Sequence, residues 1–155
     1  FLSQLMQQLN DGRTVIPVGT TAVRTLESIY WLGVKMMNHP EMEGNLCVEQ
    51  WLPYQQPHSE IRASAAVHAL IKYLQSKHLS ECHAFTRIMI VPGYQFRIIN
   101  GLVTNFHQPG SSLLLLIAAL IGDDWKKVYQ YAMEHQFRFL SYGDSSLLLP
   151  ATAAV

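Results

Sequence analysis

The sequence predicts an α/β domain with a mainly parallel or mixed sheet and helices on both of its faces. The first indication is the short apolar run 14–18, which enters an amphipathic helix through Gly19-Thr20-Thr21. A buried strand that passes into a helix in this way is typical of a βα unit, and βα units build parallel sheets. Apolar runs at 84–91, 94–99 and 102–106 are predicted to supply the remaining strands.

Length and composition favour one well-buried domain. Of the 155 residues, 49% are hydrophobic and 14% charged, which is typical of a globular chain or of a piece that further protein covers. The first residue is Phe1, and Leu2, Leu5 and Met6 follow at helical spacing. We therefore expect residues 1–155 to form a single α/β domain that is a fragment or a C-terminal domain of a longer protein.

The predicted helices follow the apolar spacing along the chain. The helix after Thr21 ends at Asn38, because His39 precedes Pro40. Residues 39–83 contain a possible edge strand at 47–52 and a helix with an apolar stripe over 63–74, for which Ser59 is a suitable N-cap. The helix 113–121, which Ser111 or Ser112 caps and Gly122 ends, is apolar on all sides, so we expect it to be nearly fully buried.

Charge and cysteine content exclude several classes of protein. The 11 basic and 11 acidic residues balance, so no overall field attracts nucleic acid, although a local basic patch remains possible. Two cysteines do not make a disulfide framework and suit a reducing cytosol. The run 113–121 is too short to span a bilayer. The expectation is a cytoplasmic protein with no membrane contact.

Two polar groups lie at the start of the first predicted βα helix. Thr20 and Thr21 stand where free backbone amides could hold a carboxylate or a ribose, or Thr20 could simply cap the helix. Arg24 and Glu27 are three residues apart and could pair with each other. Alternatively, Arg24 could clamp an anion and Glu27 could act as a base.

The stretch 91–109 carries the densest set of candidate side chains. His107, at a strand end, suits a general acid or base near neutral pH, or a structural histidine bonded to backbone. Asn105 would point to the same side of an extended chain. Tyr94 and Phe96 could stack on a purine or could face the core.

A third polar and aromatic cluster follows the last predicted helix, with Arg138, Tyr142 and Asp144 in a short segment. A metal site is not expected, since His78, Cys82 and His83 lack an evident fourth ligand. Phosphate-binding, dinucleotide-binding and hydrolase glycine motifs are absent from the sequence.

The blocks 18–28, 91–109 and 137–144 together resemble the S-adenosylmethionine:tRNA ribosyltransferase-isomerase family of queuosine biosynthesis, in that family's order and at its C-terminal end. The resemblance implies transfer and isomerisation of the ribosyl moiety of S-adenosylmethionine onto 7-aminomethyl-7-deazaguanine at the tRNA wobble position, giving epoxyqueuosine. It implies S-adenosylmethionine as co-substrate, no metal, and a larger two-domain enzyme. It implies catalytic roles for His107, Glu27 and Asp144, and binding roles for Thr20, Thr21, Arg24, Tyr94, Phe96, Asn105, Arg138 and Tyr142.

The chain departs from the family pattern in its middle. Residues 39–83 form an expected insertion, which marks a divergent member and leaves its acceptor substrate open. The alternative is a paralogue that binds S-adenosylmethionine or a partner protein without modifying tRNA. Because the family's N-terminal part is missing, we expect these residues alone to be inactive.

Overall fold

The computed structural model describes residues 1–41, 46–55 and 60–150. These ranges contain six helices and four short strands. The helices are α1 (Leu2–Asn10), α2 (Thr20–Asn38), α3 (Leu52–Gln55), α4 (Ala63–Ser76), α5 (Ser112–Ile121) and α6 (Asp124–Glu134). The strands are β1 (Leu46–Val48), β2 (Ala84–Thr86), β3 (Leu102–Asn105) and β4 (Ser145–Leu148).

The strand pairing is mixed, as predicted for this α/β chain. β1 pairs with β2 in parallel, and β3 pairs with β4 in antiparallel orientation. The run 14–18 lies parallel to β3 but forms only an isolated bridge, between Val18 and Val103. Its register is held by the amide of Val103, which donates to the carbonyl of Pro17 at 2.9 Å.

Several strands are shorter than the sequence predicted. Of 84–91 only Ala84–Thr86 is a strand, and 47–52 divides into β1 and the start of α3. The prediction of a strand at 94–99 is wrong. The amides of Arg97, Ile98 and Ile99 donate to the carboxylate of Glu27 instead of to a neighbouring strand, so this segment has no ladder.

The core forms where α2 crosses α4. A Cβ atom on Gly33 would lie 2.0 Å from the backbone oxygen of Ala66, so only glycine permits this approach. Trp31, Val67 and Leu70 are buried around the crossing. The predicted insertion therefore contributes core residues to the same domain. Ser59, the predicted cap of this helix, lies outside the described residues, and the observed N-cap is Arg62.

The prediction that 113–121 is nearly fully buried is wrong for this chain. Leu116, Ile117 and Leu120 are buried, whereas Leu115 is 43% exposed. The helix packs one side onto the core, and its apolar sequence continues around the other side. Its ends agree with the prediction, since the Ser111 hydroxyl accepts from the amide of Leu113 at 3.2 Å and Gly122 is the C-cap with φ +60°.

Candidate active site

Backbone pairings bring three sequence blocks to the carboxyl end of β3. The amide of Gly19, just before α2, donates to the carbonyl of Val103 at 2.8 Å. Asn105, the last residue of β3, stands opposite Ser145 of β4. The amide of Leu140 donates to the carbonyl of Phe106 at 2.7 Å. The start of α2, the segment after β3 and the segment before β4 therefore meet at this end of β3, which we call the β3 edge. Polar side chains of α/β folds usually lie at such strand ends.

The start of α2 presents free backbone amides at this edge. Gly19 is the N-cap residue, with φ +89°, and makes no side-chain cap. Thr20 is thus the first helical residue and not the cap that the sequence allowed. Amides in a first helical turn lack intrahelical acceptors and favour anions. Thr21 lines a cleft of about 850 Å³ together with α1 and the run 14–18.

His107 is held at the edge by two neighbouring hydroxyls. Its amide donates to the hydroxyl of Tyr129 at 2.9 Å, and its Nε2 lies 3.0 Å from the hydroxyl of Thr104. Burial lowers the pKa of His107, which favours the neutral imidazole near pH 7. Phe106 packs against Tyr129 with a ring-centroid distance of 5.6 Å, which fixes the adjoining backbone. Asn105 is half-buried beside this pair.

Thr104 and Tyr129 were not predicted as site residues. Thr104 is a buried polar residue in β3, and Tyr129 lies on the inner face of α6. Helical spacing places Tyr129 on one face of α6 together with Ala132, and both are buried. The sequence does not identify the hydrogen-bond partner of the Tyr129 hydroxyl, although a buried tyrosine usually has one.

Arg138 and Asp144 form a closed pair in the third block. The Nε and Nη2 atoms of Arg138 each lie 3.1 Å from a carboxylate oxygen of Asp144, and the backbone amide of Arg138 donates to Oδ2 at 2.6 Å. Arg138 holds the pKa of Asp144 below its ordinary value, so Asp144 is a carboxylate at neutral pH. Tyr142, between them, is 69% exposed.

Glu27, Tyr94 and Phe96 lie in or against the core and not at the edge. Glu27 is two turns, roughly 10 Å, along α2 from Thr20. It is fully buried, and its Oε2 accepts from the Tyr94 hydroxyl at 2.7 Å and from the amide of Arg97 at 3.0 Å. Its Oε1 accepts from the amides that follow, Ile98 at 3.0 Å and Ile99 at 3.2 Å.

The surroundings of Glu27 indicate a structural role. Burial raises the pKa of Glu27, and the donated hydrogen bonds act in the opposite direction. The Tyr94 hydroxyl also accepts from Nε1 of Trp31 at 3.0 Å, and Phe96 packs edge-on against the Tyr94 ring at 5.1 Å. Because both Glu27 oxygens are engaged, its assignment as a base stays a prediction that the geometry does not favour.

Arg24 lies on α2 between Thr20 at the β3 edge and Glu27 in the core. It follows Thr20 by one helical turn and therefore shares its face of α2. Its Nε is buried and has no hydrogen-bond partner among the described residues. The possible pair with Glu27 does not form, since the Glu27 oxygens accept from Tyr94 and the 97–99 amides.

Within 1–41, 46–55 and 60–150, no three His, Cys, Asp or Glu side chains lie close enough together to hold a metal ion. Cys47 and Cys82 are both free thiols. None of the described helices is both long enough and apolar enough to cross a membrane.

Sequence comparison finds the same family over nearly the whole chain. The sequence model of the family described as "Queuosine biosynthesis protein" matches residues 2–148. The S-adenosylmethionine:tRNA ribosyltransferase-isomerase of Dinoroseobacter shibae is 34% identical over 153 residues, covering 98% of this chain and 31% of that protein. The protein of that name from Cereibacter sphaeroides is 35% identical over 140 residues, covering 90% of this chain and 28% of the relative.

Structural comparison agrees. The crystal structure of the S-adenosylmethionine tRNA ribosyltransferase from Thermotoga maritima superposes with a TM-score of 0.60 and 28% sequence identity, over 96% of this chain and 37% of the other. The chain thus spans about a third of the length of these relatives. With the family match extending from residue 2 to residue 148, the chain belongs to the queuosine biosynthesis protein family.

Proposed function

We propose that this chain is the C-terminal part of an enzyme that transfers and isomerises the ribosyl moiety of S-adenosylmethionine onto 7-aminomethyl-7-deazaguanine in tRNA, giving epoxyqueuosine. The observation that carries the proposal is the meeting of the three family-like blocks at the carboxyl end of β3. The names of the relatives support the substrate pair for those proteins. The co-substrate is S-adenosylmethionine, the partner is tRNA, and the compartment is the cytoplasm.

The reaction needs a base for the acidic proton beside the sulfonium and an acid for the departing adenine. His107 is the proposed proton carrier, because burial lowers its pKa and leaves the neutral ring able to accept a proton. Thr104 and Tyr129 orient it through the imidazole and the backbone amide. Asn105 is proposed to orient the same ligand from the end of β3.

Asp144 and Glu27 have different proposed roles. Asp144 is ionised and fixed by Arg138, so its proposed role is electrostatic, together with Arg138, and not proton transfer. Glu27 is proposed as a positioning residue that ties α2 to the segment 94–99. Thr20, Thr21, Arg24 and Tyr142 remain proposed ligand contacts, and Tyr94 and Phe96 are proposed to act by supporting the site from the core.

The test uses the full-length protein with S-adenosylmethionine and tRNA bearing 7-aminomethyl-7-deazaguanine. The expected products are free adenine, free methionine and a tRNA nucleoside of the mass of epoxyqueuosine, all measured by mass spectrometry. Omission of the tRNA is the control and should abolish adenine release. Binding of S-adenosylmethionine without any of these products would contradict the proposal and would support the divergent paralogue.

A further inference from the structure

A small cavity beside the start of α5 contains two arginines and no carboxylate among its described lining residues. Its volume is about 80 Å³, and its polar lining consists of Arg24 from α2, Arg87 after β2 and Ser112 at the start of α5. Ile88, Ile90 and Leu116 complete much of the wall and are buried. Arg24 is half-buried and Arg87 is exposed, so two positively charged side chains line one cavity that is open to solvent on the Arg87 side.

Neither guanidinium group is neutralised within the described part of the chain. The buried Nε of Arg24 has no hydrogen-bond partner there, although a buried donor normally has one. The ion pairs found among these residues join other cations, such as Lys35 with Glu49 and Arg138 with Asp144. A buried guanidinium donor without a partner, next to a second arginine, is the donor arrangement that binds an oxyanion.

The start of α5 adds a third element to the cavity. The amides of Leu113 and Leu114 donate to Ser111, which leaves the amide of Ser112 as the free donor of this first turn among the described residues, and the helix dipole favours negative charge there. Arg24 lies one helical turn, roughly 5 Å, after Thr20, so α2 connects this cavity with the edge at which the three blocks meet.

We infer that Arg24, Arg87 and the first turn of α5 form an oxyanion site, in which Arg87 is a ligand contact that sequence motifs do not assign. This rests on the proposed function, because its ligand is an anionic group of one of the two proposed substrates. The oxyanion is either the methionine carboxylate of S-adenosylmethionine or a phosphodiester of the tRNA. The shared chemistry is a forked guanidinium contact with two oxygens.

The experiment measures binding to the full-length protein without turnover, so it does not depend on whether the proposed reaction occurs. Arg87→Gln is compared with Lys72→Gln, which removes one positive charge from an exposed position on α4. The probes are S-adenosylmethionine, decarboxylated S-adenosylmethionine and tRNA. Arg24→Lys is a second variant that keeps the charge but removes the planar fork.

A carboxylate ligand predicts that Arg87→Gln binds S-adenosylmethionine roughly 10- to 100-fold more weakly than wild type. Decarboxylated S-adenosylmethionine should then bind both proteins equally, because it lacks the group that Arg87 contacts. A phosphodiester predicts instead that S-adenosylmethionine binding is unchanged, while tRNA binding weakens and the slope of log K against log salt falls by about one. Arg24→Lys should weaken binding of the same probe.

The inference is overturned if Arg87→Gln binds S-adenosylmethionine and tRNA as tightly as Lys72→Gln does. A wild-type protein that binds neither ligand would overturn it as well. Failure of the proposed reaction alone is a separate outcome. A protein that binds these ligands through Arg87 but yields no epoxyqueuosine would support the oxyanion site and contradict the proposed activity.

Discussion

Replacing Glu27 by glutamine should destabilise the domain far more than a change of one atom suggests. Oε2 accepts from the Tyr94 hydroxyl and the Arg97 amide, and Oε1 accepts from the amides of Ile98 and Ile99. In either orientation, the NH₂ group of glutamine would face donors. At least one buried backbone amide would then lose its acceptor, whereas the tyrosine hydroxyl can rotate.

The magnitude follows from these contacts. An unsatisfied buried donor costs about 1–3 kcal/mol, and loss of charge on the remaining bonds adds to this cost. The neutral glutamine no longer has the desolvation cost of the buried Glu27 carboxylate, and this gain offsets part of the destabilisation. We expect a net loss of about 2–4 kcal/mol, which for a domain of this size lowers Tm by roughly 5–15 °C.

The assay is urea and thermal unfolding of the full-length protein, with turnover measured on the same preparation. Tyr94→Phe is the companion variant, because it removes one donor to Glu27 and leaves the indole nitrogen of Trp31 without its acceptor. The two changes should be non-additive, since they share one hydrogen bond. A Glu27→Gln protein of unchanged stability whose turnover is nevertheless lost would refute this reasoning and restore Glu27 as a base.

Three further predictions concern the edge and the helix crossing. His107→Ala should reduce turnover on the order of 10²–10⁴-fold with little change in fold, and an unchanged rate per folded molecule would remove His107 from the mechanism. Burial lowers the pKa of His107 in the folded protein below that in the unfolded chain, about 6.5, so its contribution to stability is complete above pH about 6.5. That contribution is lost as the pH falls through the folded pKa. Unfolding of wild type and of His107→Gln from pH 8 to 5 measures this loss. Gly33→Ala should lower the free energy of unfolding by about 1–3 kcal/mol or more, because the added methyl group forces α2 away from α4. The control Ala65→Ser, on the exposed side of α4, should be near neutral. Equal stabilities of the two variants would contradict the close crossing of the helices.

Local signals in the sequence predicted much of the fold because they depend on near neighbours. The Gly19-Thr20-Thr21 turn, the Ser111 cap and the Gly122 C-cap occur at the predicted helix ends. Sheet extent was predicted less well. The segment 94–99 has strand-like periodicity, but a carboxylate far away in sequence takes its amides, and periodicity carries no information about that partner.

The candidate site shows the same limit. The pattern of polar clusters at the ends of three predicted elements indicates one shared site, and the backbone pairings at β3 are compatible with this. It did not separate the side chains at the edge from those turned into the core, because Thr20 and Glu27 lie on one helix at different depths. Burial of Glu27 depends on how α2 packs against 94–99, which is a tertiary property.

The most direct test of the account is the position of S-adenosylmethionine in a crystal structure of the full-length protein. We predict that the ligand lies at the carboxyl end of β3, in contact with Thr20, Asn105 and His107. A separate cleft of about 610 Å³, lined in part by Ser28, Leu70 and Cys82, offers a different position. Ligand bound in that cleft, with the β3 edge empty, would contradict the single site proposed for the three blocks.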